Sequence, residues 1–595
     1  MLNSNALEGT KAIKESEANF ASAPTSKKIG FFSAMLIVVG SSVGAGIFFK
    51  AGAVLGNSQG SIIFAIFCWL FAGFAVISMA LALIEIASGR NDNLSMIGWC
   101  QTFNKRFTYK ACKNFMVYIY LPLTYFFMPL YSIMSFQDGI SSLIPNYSGL
   151  NTKADWAVMM VFALLISSYF IFVNGKSSKM GNIHNWIITS VKFIPLVMAI
   201  LLGIIVVIMN GGVQNPDYTA GFNTAWSAIA QDPASIFTFS NLTPGFGMFV
   251  AIGAIFFAFD GFYVTAGIQT EMKEPKKTPL AILIGMISVT VIYLVIAIAM
   301  SIGSEDGTPF GFQNFLESRG AGWVYAAFQI MIGIGVLGII NGYALWSTRF
   351  VEDLIKANEI PYSTKLVNKI TPKAANVGIF YNLVLSIPVI LVFCIIGGLA
   401  YTDSSNYGTT YGTGVAQMYS FADLMANWTS VLAFTFIIFA IFGGLKNRKT
   451  NQVYVEKSKY FKLMAYLAIA TMSLPIFITF LDPIANLFML YWIPDNTPGY
   501  VTDVLVPRIM LIVALFFFAI LIFVPTICED YLLIRRYGSI EKGEIKKIEL
   551  MANAKGIDLK TELINQIRAQ KRIALNEEEK NILNINSMND LPQYA

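Results

Sequence analysis

Two charged side chains interrupt long apolar runs, and each carries a proton or a charge that can do work inside a membrane. Lys192 sits in Ile187-Ile188-Thr189-Ser190-Val191-Lys192-Phe193-Ile194-Pro195, and Asp260 sits in Phe256-Phe257-Ala258-Phe259-Asp260-Gly261-Phe262-Tyr263. A lysine at that depth costs about 2.5–3.5 kcal/mol on insertion scales unless it faces a partner or a cavity. Glycines break the same kind of run in Gly40-Ser41-Ser42-Val43-Gly44-Ala45-Gly46-Ile47-Phe48, and again at Gly253 and Gly261. Backbone can leave the helix at membrane depth only where protein or a cavity supplies hydrogen-bond partners. The amides exposed at such a break suit a carboxylate, and the freed carbonyls suit an ammonium. One break of each kind makes a receptor for a zwitterion. Taken singly, either glycine cluster also reads as close packing of small residues between helices.

Other chemistries lack their parts. His184 is the single histidine, so zinc sites and Ser-His-Asp arrangements have no imidazoles to build on. Cys68, Cys100, Cys112, Cys394 and Cys528 show no CxxC spacing, so neither a disulfide framework nor a metal cluster is suggested. There is no DxD-like pair, HExxH or GxSxG at a membrane face to suggest a membrane enzyme, and no repeated charge ring of a channel. No cofactor, metal or nucleic acid is expected.

The elements that position these residues are membrane helices. Only 13% of the 595 residues are charged, against roughly 25% in soluble domains, and the mean hydropathy is +0.61. A bilayer core of about 30 Å needs roughly 20 apolar residues per helix. Twelve such stretches lie near 30–56, 61–88, 114–143, 156–174, 184–210, 245–270, 279–302, 321–348, 375–399, 416–445, 460–481 and 504–530. The runs are continuous, which excludes a β-barrel. The expected divisions are a polar N-terminal tail at 1–28, spans one to five at 29–210 and an outer loop at 211–243. Spans six to ten follow at 244–446, spans eleven and twelve at 447–530 and a charged tail at 531–595. All but five of the 41 Lys and Arg residues fall in loops and tails on one side, and the exceptions are Lys50, Lys153, Lys192, Arg319 and Arg508. The opposite loops 211–243, 400–415 and 482–503 carry Asp217, Asp232, Asp403, Asp482, Asp495 and Asp503 without a base. The positive-inside rule then puts both termini in the cytoplasm of a multi-pass plasma-membrane protein. Mixed charges in the tail read as solvated helices, with regulation or partner binding as the other reading.

Spans one and six open two halves of similar length. Glycine-interrupted spans at matching places in two halves point to an inverted-repeat transporter with its site at the midplane. Here the sequence resembles the amino acid–polyamine–organocation transporters. Gly40 through Phe48 looks like that family's first-span GxxxGxGIF. The stretch from Phe256 through Asp260-Gly261-Phe262 to Glu271-Met272-Lys273-Glu274-Pro275-Lys276-Lys277-Thr278-Pro279 is similar to its sixth span and following loop. Asn341-Gly342-Tyr343, with Ser347, Thr348 and Arg349 and then Ala357-Asn358-Glu359-Ile360-Pro361, resembles its eighth span and inner end.

The resemblance implies an all-α fold of about twelve transmembrane helices: a 5+5 inverted-repeat, LeuT-like core with broken first and sixth helices, plus two extra helices. It implies a secondary transporter importing or exchanging amino acids by alternating access. The amides of Ala45 and Gly46 would take the substrate carboxylate, with Gly44 permitting close approach. The carbonyls of Ser42, Phe257, Ala258 and Asp260 would take the ammonium, beside Gly261. Phe257 would cover the substrate from outside. Tyr263 stands where the family often has a carboxylate, so side-chain selectivity is not inherited. Lys192 resembles the family's fifth-span lysine, which favours proton coupling over sodium coupling. Glu85 resembles a recurring acid near the inner gate. Asp260 has three readings: recognition of a cationic side chain or polyamine, pairing with Lys192 or Lys50, or capping of freed amides. Lys50 reads as snorkelling or as lining an outer vestibule. Tyr118, Tyr120 and Tyr125 read as packing or as site lining, and His184 as interfacial. A polyamine or cationic amino acid carrier, and a receptor or scaffold acting through the tail, are the rivals. The sequence leaves the oligomeric state open.

Overall fold

A helix that stops inside a membrane frees carbonyls at one end and amides at the other, and two helices of this protein do so. In a computed structural model, the described residues are 30–44, 46–90, 94–144, 146–150, 152–216, 238–242, 244–263, 273–274, 277–360, 366, 369–371, 374–404, 407–572, 579 and 582–583. The first span consists of Phe31–Ser42 and Gly46–Asn57, separated by extended Val43 and a bend at Gly44. The sixth begins as Pro244–Phe259 and turns at Asp260 and Gly261, where Gly261 takes φ +98°. Its expected second half, from residue 264, lies outside the described residues, as do the tail at 1–28 and most of the loop at 211–243.

Among the described residues, ten further helices are long and apolar enough to cross a bilayer. They are Ile62–Ser88, Arg106–Ser141, Asp155–Lys176, Ser178–Asn210, Thr278–Gly303, Gly322–Lys356, Asn376–Ala400, Thr413–Thr450, Phe461–Trp492 and Tyr500–Tyr537. With the two interrupted helices, these are the twelve spans read from hydropathy, and the described residues form no strand. The molecule is an all-helical, multi-pass membrane protein.

Burial sorts the spans. Span three has 89% of its apolar stretch buried and span ten 78%, so both run through the centre, whereas span twelve has 17% and faces outward. Span eight packs along span three and against the first half of span five, and span seven packs on spans one, two and five. The register of span seven is tight: a Cβ on Gly73 would lie 2.3 Å from Thr290 Cγ2. Pro195, which lacks an N–H, divides span five into Ser178–Lys192 and Ile194–Asn210. Lys192 therefore ends a helical segment beside an irregular turn.

Span three starts eight residues before its apolar run. Hydropathy stops at Asn114 because Arg106, Lys110 and Lys113 precede it, but each of these bases finds a partner. Arg106 donates to Asp530 at 2.6 Å and Glu544 at 2.7 Å, Lys110 to Glu359 at 2.9 Å, and Lys113 to the Glu359 carbonyl at 3.1 Å. Lys547 pairs with Glu529. The tail helices Ile540–Lys555 and Leu559–Ala569 are thus docked rather than freely solvated. Farther along, Lys571 donates to the Ser88 carbonyl at 2.9 Å, and its own carbonyl accepts from Tyr454 at 3.1 Å.

Candidate functional site

The two breaks meet at a glycine. A Cβ on Gly46 would lie 2.9 Å from the Ala258 Cα and 3.5 Å from the Phe257 ring. Only a hydrogen at that position lets the start of Gly46–Asn57 sit against the end of Pro244–Phe259. Gly44 is less constrained, since its added Cβ would meet only the flexible Ile339 side chain at 3.2 Å. Ala45 lies outside the described residues.

The end of Phe31–Ser42 leaves carbonyls that its own helix cannot satisfy. Val43 N–H takes the Val39 carbonyl at 2.8 Å. The Lys192 ammonium donates to the Gly40 carbonyl at 2.6 Å and lies 5.4 Å from the Phe193 ring centroid. No carboxylate pairs with Lys192 among the described residues, so a cation from span five caps the first break directly.

The Ser42 carbonyl accepts from the hydroxyl of Tyr293, in span seven, at 2.7 Å. The same Oη lies 2.9 Å from the Ala258 carbonyl and accepts from the Gly44 amide at 3.3 Å. One phenol therefore touches both breaks. The Phe257 carbonyl accepts from the Asp260 amide at 3.2 Å. Of the expected ammonium acceptors, Ser42 and Ala258 are brought together, and Tyr293 is what joins them.

Asp260 pairs with neither Lys192 nor Lys50. Its Oδ1 accepts from the Gly261 amide at 2.9 Å, and its Oδ2 accepts from the Tyr120 hydroxyl at 2.9 Å and, more weakly, from Ser430 at 3.5 Å. The capping reading fits: the carboxylate holds the amide exposed where the sixth helix turns. Tyr263 extends the chain by donating to Tyr120 at 3.0 Å. Tyr120 reaches Asp260 from a π-helical turn, Met116–Tyr120, that widens span three. Tyr125 instead shares a 2.7 Å bond with Ser347, tying span three to span eight.

Lys50 neither snorkels nor lines an open vestibule. Its side chain is 0% exposed, and its ammonium lies 2.5 Å from Asp423 Oδ1 in span ten and 3.2 Å from the Tyr131 hydroxyl. It also lies 4.6 Å from the centroid of the Phe257 ring, which packs edge-on against Phe127 at 5.9 Å. Phe257 is thus held by a buried cation and the aromatics of span three. Glu85 sits elsewhere, with both oxygens 2.5 Å from the Arg448 guanidinium and Oε2 accepting from the Ser458 amide at 2.6 Å. It fastens span two to span ten and touches neither break. His184 lies 3.3 Å from the Tyr169 hydroxyl at the perimeter, apart from the site.

Tyr293 and Asp423 were missing from the sequence reading. Asp423 carries a signal, because an acid inside the tenth span is as costly as a lysine inside the first. Opposite charges in two spans point to each other. Tyr293, in Val291-Ile292-Tyr293-Leu294, carries none beyond being a phenol in an aliphatic run.

A profile of the family described as amino acid permease matches residues 29–515. A Mycoplasma pneumoniae protein of uncharacterized function is 45% identical over 541 residues, covering 86% of this chain and 96% of its own length. The serine/threonine exchanger SteT of Bacillus subtilis is 24% identical over 351 residues, 57% of this chain and 70% of its own. The branched-chain amino acid permease BcaP of the same species is 24% identical over 370 residues, 58% of this chain and 70% of its own. The profile match spans both breaks, Lys192 and Tyr293, and the chain belongs to the amino acid permease family, which makes it a membrane transporter and not an enzyme.

Proposed function

We propose that this transporter carries amino acids across the plasma membrane by alternating access, as importer or exchanger, with a proton as the coupling ion. The observation that carries the reading is the approach of the two breaks at Gly46 and Ala258, with an amide and two carbonyls turned to one point. Amides at the start of Gly46–Asn57 suit the carboxylate of a zwitterion, and the carbonyls of Ser42 and Ala258 suit its ammonium. Phe257 covers the substrate, Tyr263 and Gly261 border its side chain, and Ala45 and Gly46 offer their amides. The names of SteT and BcaP support an uncharged amino acid as substrate. So does Asp260, whose two oxygens are already engaged by Gly261 and Tyr120.

Lys192 is the coupling residue in this reading. Its ammonium holds the Gly40 carbonyl, so losing the proton removes the charge from that bond and loosens the hold of span five on the first break. The crowding of Lys and Arg into the loops on one side supports cytoplasmic termini. The test is purified protein in liposomes, given labelled amino acids and polyamines with and without an inward proton gradient. Gradient-driven accumulation of an amino acid that is lost in Lys192→Ala is the expected result. Full pH-dependent uptake by Lys192→Ala removes the lysine's role, and transport of polyamines alone removes the substrate class.

A further inference from the structure

The hydrogen bonds around Tyr293 do not balance. A phenol has one proton to donate and accepts through its oxygen. Its Oη stands 2.7 Å from the Ser42 carbonyl and 2.9 Å from the Ala258 carbonyl, both donor–acceptor distances, and the Gly44 amide donates to it at 3.3 Å. The one proton serves one carbonyl at a time. The other carbonyl then faces the phenol oxygen, acceptor against acceptor, with no proton between them. Such a set is completed by a further donor with several protons, and a primary ammonium brings three.

The phenol is also held rigidly enough to define a position. Its side chain is fully buried. The ring packs edge-on against Trp69 at 5.9 Å and against Phe259 at 5.2 Å. One turn earlier, Thr290 fills the notch that Gly73 leaves in span two, which fixes the height of Tyr293 in the membrane. No other described side chain bonds to backbone groups of both breaks. The hydroxyl sets the spacing of the two carbonyls that must share one ammonium, while the ring draws its precision from spans two and six.

We infer that Tyr293 is a positioning residue for the substrate ammonium: it clamps the Ser42 and Ala258 carbonyls at the separation a primary amine completes, and so sets the preference for α-amino over other α-substituted acids. This rests on the reading that a zwitterion lies between the breaks. It concerns the amino group alone, and the carboxylate and side chain are recognised elsewhere.

The test compares an amino acid with its 2-hydroxy acid, which keeps the carboxylate and the side chain but lacks the ammonium. Each is titrated as a competitor of labelled amino acid counterflow in liposomes, for wild type, Tyr293→Phe and Tyr325→Phe. Tyr325 is an equally buried tyrosine whose hydroxyl accepts from Gln329 at 2.8 Å, away from the breaks. Without the clamp one carbonyl drifts from the ammonium and one charge-assisted hydrogen bond is lost, so the amino-over-hydroxy preference falls about tenfold or more in Tyr293→Phe. It stays at the wild-type ratio in Tyr325→Phe. If Tyr293→Phe carries too little flux, the same ratio is read from ligand-induced thermal stabilisation of the purified variants in detergent. An unchanged preference in Tyr293→Phe, both competitors weakening in parallel, or equal erosion in Tyr325→Phe would each overturn the inference. Absence of counterflow by the wild type with any amino acid would instead overturn the functional reading beneath it.

Discussion

Lys50 and Asp423 offer the sharpest energetic test of the packing around the site. The ammonium is enclosed at 2.5 Å from the carboxylate, and the Tyr131 hydroxyl donates to the same Oδ1 at 2.6 Å. Removing one member of such a buried pair strands the other charge and typically costs about 3–5 kcal/mol, while replacing both by apolar groups of similar size is often neutral. Asp423→Leu leaves the ammonium with the Tyr131 hydroxyl and the Phe257 ring, so its cost falls at the low end, about 3 kcal/mol. Lys50→Met leaves a carboxylate supported by Tyr131 and by Asn427 at 3.4 Å, and should cost more, about 4 kcal/mol. The pair Lys50→Met with Asp423→Leu should return to within about 1 kcal/mol of wild type. At roughly 1.4 kcal/mol per tenfold, each single change shifts the unfolding equilibrium by more than about a hundredfold. Reversible unfolding in mixed micelles over the full cycle reads the coupling directly. Single effects that simply add in the double variant, to within about 0.5 kcal/mol, would refute the assignment of a buried pair.

Gly46→Ala places a methyl 2.9 Å from the Ala258 backbone, so uptake should fall at least about tenfold with normal amounts in the membrane, as measured by initial rates against quantified protein. Asp260→Asn presents an amide NH2 to either the Gly261 amide or the Tyr120 hydroxyl, at about 1–3 kcal/mol. Its maximal rate should drop while the ranking of neutral over cationic amino acids in competition assays is kept. Arg106→Ala removes the bonds to Asp530 and Glu544, so trypsin should cut within 540–572 about tenfold faster at neutral pH. Burial alone would raise the Glu544 carboxyl, but Lys110, Lys547 and Arg106 outweigh it and hold it below the ordinary value of 4.5. Docking of the wild-type tail is therefore complete above that value and is lost as the pH falls through the lowered one, which hydrogen exchange across 540–572 measures.

The fold was legible because hydropathy and glycine placement each act over a single span. Apolar runs of bilayer length located the twelve helices, and the clusters at Gly40–Gly46 and Gly253–Gly261 located both interruptions. Lys192 stands out in the sequence because a charge at depth has few explanations. The pairing of Lys50 with Asp423 escaped because the partners are 373 residues apart and Asp260 offers itself as the acid for Lys50 in the sequence. Tyr293 escaped for a different reason: its role depends on three backbone atoms converging from two spans, and backbone groups leave no mark in residue types. The helix that carries span three begins before its apolar run, at Arg106, and this is hidden in the sequence because Arg106, Lys110 and Lys113 look like loop residues until Glu359, Glu529, Asp530 and Glu544 fold against them.

The claim that the two breaks form an amino acid site is tested most directly by counterflow. Purified protein is reconstituted into liposomes preloaded with one unlabelled amino acid at a time, and entry of the same labelled amino acid is followed for wild type and Gly46→Ala. Accelerated entry of at least one neutral amino acid by wild type, reduced at least about tenfold by Gly46→Ala, is the predicted result. No accelerated entry of any amino acid, or entry that Gly46→Ala leaves untouched, would contradict it.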